Sequence, residues 1–164
     1  MPVAGFKFRK SSRLVAGLAV AASAALGIGL GGGAADAAPL QQATTTGYDF
    51  GTFGDHDYCH GAVRAKLTSP RRGVVNVKLT SHGFTGNGRG WAKNPKCGVL
   101  FIVTTGYIHE SYINASFGSK PGESVSRDIA TGSGVNIINI SPYAKNTPVR
   151  VPMGAEFAAW LVVP

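Results

Sequence analysis

Apolar and polar residues alternate with period two along much of the chain beyond residue 47. Over residues 62–68, Val63, Ala65 and Leu67 fall on one parity, and Arg64 and Lys66 on the other. After Ser69-Pro70-Arg71-Arg72-Gly73 the alternation resumes, with Val75, Val77 and Leu79 set against Asn76 and Lys78. Successive side chains of an extended chain point to opposite faces, so each run predicts a strand with one apolar face. Proline presets the first dihedral of a turn and glycine tolerates the last, so the pair predicts an antiparallel hairpin. Residues 98–105 (GVLFIVTT) are apolar on both parities and predict a central strand covered from both sides.

Further strands are expected around Tyr48, Phe50 and Phe53, and over residues 107–114, 125–129, 135–140, 149–151 and 155–163. The later ones are separated by GSKPG, TGSG, SPYAKNTP and PMG. Residues 81–96 hold four Gly, Phe84 and Trp91 without periodicity, and read as a long connection. The turn spacing predicts an all-β fold: a single-domain antiparallel β-sandwich or partly closed barrel of seven to nine strands. That domain would occupy residues 48–164, after a flexible lead-in over residues 38–47. Composition agrees. From residue 38 onward Val and Ile total 19 against five Leu, with 11 Thr. Such residues pack well on a pleated surface and lose rotamer freedom in a helix, which excludes a bundle, a coiled coil and a polytopic membrane protein.

The first 37 residues have a different character. Lys7, Arg9, Lys10 and Arg13 precede an uncharged stretch of Ala, Gly, Leu and Val over residues 14–33, and Ala35-Asp36-Ala37 offers small residues at the positions a signal peptidase reads. This pattern predicts a cleaved secretory signal peptide ending at Ala37. The alternative is an uncleaved anchor, since the apolar run is nearly long enough to span a bilayer. Its many glycines weaken it as a lipid helix. A leader so rich in Ala and Gly resembles those of exported proteins from high-GC actinobacteria. That resemblance covers the leader only; the signal pattern itself implies an extracellular or cell-envelope-associated protein, with no transmembrane span expected in the mature chain.

Export bears on the two cysteines. Cys59 and Cys97 are the only thiols, and in an oxidising compartment an even count predicts one structural disulfide.

Charge is uneven. The formal net charge is +8, of which the four basic leader residues and Asp36 account for three. Between Tyr58 and His109 stand eight basic residues and no acid: Arg64, Lys66, Arg71, Arg72, Lys78, Arg89, Lys93 and Lys96. Hairpin parity puts Arg64, Lys66 and Lys78 on one exposed face, with Arg71 and Arg72 at its tip. Such a face concentrates polyanions, and the Gly-rich stretch around Arg89 and Trp91 adds a charge and a ring able to stack on bases or sugars. The candidate partners are an anionic envelope glycan, lipid headgroups or extracellular nucleic acid. The competing reading is an ordinary solvated face whose lysines and arginines guard the sheet against aggregation.

Candidate chemistry is sparse. His56 and His60, in Asp55-His56-Asp57-Tyr58-Cys59-His60, would share a face if extended, but two ligands fall short of the three or four a zinc site needs. His109 and Glu110, with an arginine, could serve as acid and base in a small secreted nuclease. Neighbours on one strand point to opposite faces, so that pair needs a bulge, for which Gly106 is the candidate. No cofactor motif is present. The expectation is therefore a small secreted non-catalytic protein that binds anionic polymers or surfaces. The alternatives are a nuclease-like hydrolase and a protein-binding or inhibitor module presenting the long loop.

Overall fold

In a computed structural model, residues 38–164 other than Tyr107 and Asn146 are described. The leader and its cleavage site lie outside them. The strands are β1 (Ala38–Pro39), β2 (Gln41–Thr44), β3 (Asp49–Phe53), β4 (His60–Arg71), β5 (Val74–Thr85), β6 (Lys96–Thr105), β7 (His109–Gly118), β8 (Ser124–Ala130), β9 (Gly134–Tyr143) and β10 (Phe157–Val163). One five-residue helix, α1 (Arg89–Lys93), joins β5 to β6. Apart from the two-residue β1, that makes nine strands.

They form two antiparallel sheets. The first runs β1-β4-β5-β8, with β3 also paired to β4; the second runs β2-β10-β9-β6-β7. The sheets stack like a sandwich and do not close into a barrel. Alternation sends Val63, Ala65 and Leu67 of β4 and Val75, Val77 and Leu79 of β5 inward, against Val99, Phe101 and Val103 of β6 and Ile138 and Ile140 of β9. Each such side chain gains about 1.5–3 kcal/mol by leaving water. Phe50 meets Phe101 edge-on at 6.1 Å and stacks on Phe157 at 6.2 Å, so one residue of the first sheet keys into two strands of the second.

The hairpin forms as the pattern predicts, with Leu67 opposite Val77 and Ala65 opposite Leu79. Its turn is tighter than the motif suggested. β4 continues to Arg71, and Gly73 takes the left-handed conformation (φ 69°) that closes the turn. Pro70 falls where the register shifts between Thr68 and Arg71, a place where its missing N–H breaks no regular ladder bond.

Three local expectations change. Residues 81–85 belong to β5, because buried Ser81 and Phe84 extend its inner face, and the connection shortens to residues 86–95 with α1 inside it. Residues 149–151 form no strand. Pro148 and Pro152 flank them, and only an isolated bridge joins Pro152 to Tyr143. The lead-in residues contribute pairing: β1 lies on β4 and β2 on β10.

Candidate functional site

The outer face of the first sheet is organised in cross-strand rows. Asp49, Arg64, Thr80 and Ser124 form one, Lys66, Lys78 and Ser126 the next, and Thr68, Asn76 and Asp128 a third. Arg64 grips Asp49 with two bonds, Nε to Oδ1 at 2.9 Å and Nη2 to Oδ2 at 2.6 Å. His82 Nε2 also meets Asp49 Oδ1, at 2.7 Å. Arg64 and then His82 lower the Asp49 carboxyl to about 2. The Arg64 charge is therefore neutralised within the molecule, which corrects its expected place among the free cations of this face.

The sequence window hides that pairing. Three acids stand just before the acid-free stretch, and all three fold back toward its residues. Asp49 takes Arg64, the Asp55 carboxylate accepts the Gly98 N–H at 2.9 Å, and Asp57 lies against Gly90 of α1. Glu123 takes Lys96 at 3.2 Å.

What survives is smaller and better defined. Lys66 lies directly opposite Lys78, both exposed, and among the described residues neither has a carboxylate partner. Like charges directly opposite on a sheet are unfavourable. Arg71 and Arg72 are exposed at the hairpin tip, about 16 Å further along at the usual strand rise. The tip is anchored: Gly73 N–H donates to the Pro164 carbonyl at 2.9 Å, and Gly73 O accepts from Thr131 and Gly132 at 3.0 and 3.1 Å.

Arg89 and Trp91 are not part of this cluster. They follow the opposite end of β5, a 12-residue strand that spans about 40 Å. Trp91 is half-buried against the core, and the ring sits where any side chain at Gly86 would have to be. That packing limits Trp91 as a ring able to stack on bases or sugars, and α1 is too short to show the helical period that marks a packed aromatic.

At the same end, Cys59 and Cys97 form the expected disulfide, with Cα atoms 5.7 Å apart. Asp55, His56 and Cys59 cluster within metal-ligand reach, the one such group among the described residues, but the Cys59 sulfur is already bonded to Cys97. His56 Nδ1 donates to Asp55 Oδ1 at 2.8 Å and its Nε2 faces the Asn94 carbonyl at 3.2 Å. Two acceptors on one ring favour the doubly protonated form, and Asp55, followed by Asn94, raises the His56 pKa. His60 points elsewhere, its Nδ1 donating to Tyr58 O at 2.9 Å beside the Phe53 ring. The two histidines do not converge on a common ligand.

His109 and Glu110 also diverge. The β6–β7 register is unbroken from His109 to Gly118, which leaves His109 on the parity of Ile113 and Glu110 on that of Tyr112. Gly106 lies before β7, so the bulge that pairing would need is not there. Glu110 does meet an arginine. Arg150 Nη1 donates to it at 2.9 Å, Arg150 Nη2 to the Tyr112 hydroxyl at 2.6 Å, and that hydroxyl to Glu110 at 2.7 Å. Tyr112, then Arg150, lower the Glu110 pKa, so the carboxylate stays ionised and engaged. Arg150 lies 40 residues away, too far for sequence spacing to signal the contact.

The chain matches no protein-family model, no curated protein and no solved structure. Fold and site together define a class rather than a family: a disulfide-bonded, all-antiparallel, sandwich-like β domain with a cationic row on one outer face. Among its described residues no helix is long and apolar enough to cross a membrane.

Proposed function

We propose that this is a secreted, non-catalytic protein that binds anionic polymers at or outside the cell envelope, using Lys66 and Lys78 with Arg71 and Arg72. The observation that carries the reading is the Lys66–Lys78 pair. The two lysines stand directly opposite on paired strands, among the described residues neither is paired with a carboxylate, and a sulfate, phosphate or uronate bridging them would relieve their repulsion. The anchored hairpin tip extends the same sign of charge along a polymer. The leader pattern and the inter-sheet disulfide both support an oxidising, extracytoplasmic setting.

Arg64 supports the face by holding β3 on β4 rather than by touching ligand. The nuclease alternative loses ground, since Glu110 is occupied by Tyr112 and Arg150 while His109 shares no face with it. Protein recovered from culture supernatant should bind immobilised heparin, an anionic envelope glycan or single-stranded nucleic acid at low salt. Release should come well below molar salt, because each phosphate or sulfate contact frees condensed counterions. Arg71→Ala with Arg72→Ala should weaken binding with little change in Tm, since exposed turn charges add little stability. Failure to bind all three probes at low salt would defeat the reading.

A further inference from the structure

The two edges of the second sheet are treated differently. At β7 the Tyr112 carbonyl is taken by the Arg127 guanidinium, which reaches across from β8, and the Glu110–Arg150 ion pair stands beside it. The opposite edge, β2, has no such protection. Gln41–Thr44 contains no charge and no proline, and its register with β10 is unbroken from Thr44–Ala159 to Gln41–Val162. Among the described residues no strand pairs with its other side. A regular, uncharged edge presents backbone donors and acceptors ready for another strand.

The surface beside that edge is apolar. Ala43, Trp160 and Ile137 form one outer row, Gln41, Val162 and Val135 the next. Trp160 is 53% exposed and Val135 74%. They border a shallow depression of about 250 Å³, with Gln42 at its rim. Gln42 Oε1 is buried, and among the described residues no group donates a hydrogen bond to it.

The occupant is defined by charge and by that amide. β2, β9 and β10 carry none of the chain's charged residues, although the molecule is strongly cationic. A second copy meets like-charge repulsion on the first sheet and none here. Antiparallel pairing of β2 with itself, centred on Gln42, sets Gln42 opposite Gln42 of the second copy, with Cβ atoms about 5 Å apart. A carboxamide is both donor and acceptor, so each can supply the N–H the other lacks. The same operation places Ala43 opposite Gln41 of the second copy, and the small Ala43 side chain leaves Trp160 open toward the junction. A sugar ligand would want a more polar lining than these valines and one indole provide.

We propose that two copies of this chain pair through β2 about a two-fold axis at Gln42, joining their second sheets into one continuous ten-stranded sheet. A closed two-fold dimer is the commonest homo-oligomer, and a four-residue seam with one aromatic flank suits micromolar rather than nanomolar association. Sedimentation velocity on protein from culture supernatant should show dimer growing in between ~10 and ~500 µM, the range a micromolar Kd implies. The dimer should persist in high salt, because no charge holds it. Ala43→Lys should stay monomeric over that range, with its disulfide intact and its Tm unchanged. Gln42→Cys should form a covalent dimer in air, whereas Ser124→Cys on the first sheet should not. A wild-type monomer throughout, an Ala43→Lys variant that dimerises like wild type, or a Gln42→Cys dimer no more readily cross-linked than Ser124→Cys would each overturn the proposal.

Discussion

The outer face of the first sheet and the β2–β10–β9 part of the second rest on the same pleated geometry and carry opposite chemistry. On the first sheet the outward positions of β3, β4, β5 and β8 hold Asp49, Arg64, Lys66, Asn76, Lys78, His82 and Asp128. Some are paired to one another, and Lys66 and Lys78 are not. On the second sheet the outward positions of β2, β10 and β9 hold Ala43, Trp160, Val162, Val135 and Ile137, with no charge. Inward, both sheets are alike. The difference shows that burial selects one face of each strand and leaves the other free to take a surface role. Our proposals assign one surface to polyanions and the other to the β2 strand of a second copy.

Both faces depend on the sheets staying stacked, so the severest way to break the comparison is at the disulfide. Cys59 leads into β4 of the first sheet and Cys97 lies in β6 of the second, so the bond crosses between sheets and closes a loop of 38-residue separation. Chain entropy alone assigns that loop about 4 kcal/mol. Gly54 has no room for a methyl group, because a Cβ there would overlap both sulfurs. Cys59→Ser with Cys97→Ser should lower the denaturant midpoint by the equivalent of ~4 kcal/mol, most of the stability of a marginal domain. Gly54→Ala should move it in the same direction. An unchanged midpoint would mean that core packing alone holds the two sheets in place.

A middle-sized effect sharpens the contrast within the first sheet. Lys66→Glu turns a repulsive cross-strand pair into an attractive one and should raise stability by about 0.2–1 kcal/mol. The same change should reduce polyanion binding. A surface that gains stability when its proposed binding residue is lost has kept a like-charge pair for something other than folding. Thermal melts of the variant and wild type at low salt test the sign.

The smallest effect concerns pH. His56 is stabilised in its charged form by Asp55 and the Asn94 carbonyl, so its folded pKa lies above the ordinary imidazole value. Its contribution is complete below that ordinary value and is lost as pH rises through the raised one. Asp49 runs the other way. Its pairing is complete above the ordinary carboxylate value and is lost as pH falls toward about 2. Tm should therefore fall in wild type as pH rises above the ordinary imidazole value, and His56→Gln should flatten that slope.

Alternation made most of the fold legible: Val63 to Leu79 reads as a hairpin because every second residue is apolar and a turn divides them. Extension of β5 through Phe84 was missed because Gly83, at φ 100°, interrupts the period just where the strand bends. The apparent strand at Val149 and Val151 fails because two apolar residues on one parity cannot show whether a strand lies alongside; only the bridge from Pro152 to Tyr143 forms there. For the site, parity correctly put Lys66 and Lys78 on one surface. It could not show that Asp49 neutralises Arg64, since a cross-strand partner 15 residues away leaves no local trace. Glu110 with Arg150, 40 residues apart, was hidden for the same reason, whereas the packing of Trp91 on Gly86 was hidden because α1 is too short to show a helical period. The Asp49–Arg64 and Glu110–Arg150 pairs are consequences of topology rather than of neighbouring residues.

The central claim is that the two outer faces have separate roles and that the Lys66–Lys78 row is the polyanion face. The most direct measurement is a heparin titration at several salt concentrations of wild type, Lys66→Glu with Lys78→Glu, and Trp160→Ser. Wild type and Trp160→Ser should bind alike and lose about ten-fold or more in affinity between low and physiological salt. The lysine double variant should bind at least ten-fold more weakly at low salt, with a shallower salt slope. Equal binding by the lysine variant, or loss of binding in Trp160→Ser, would contradict the account.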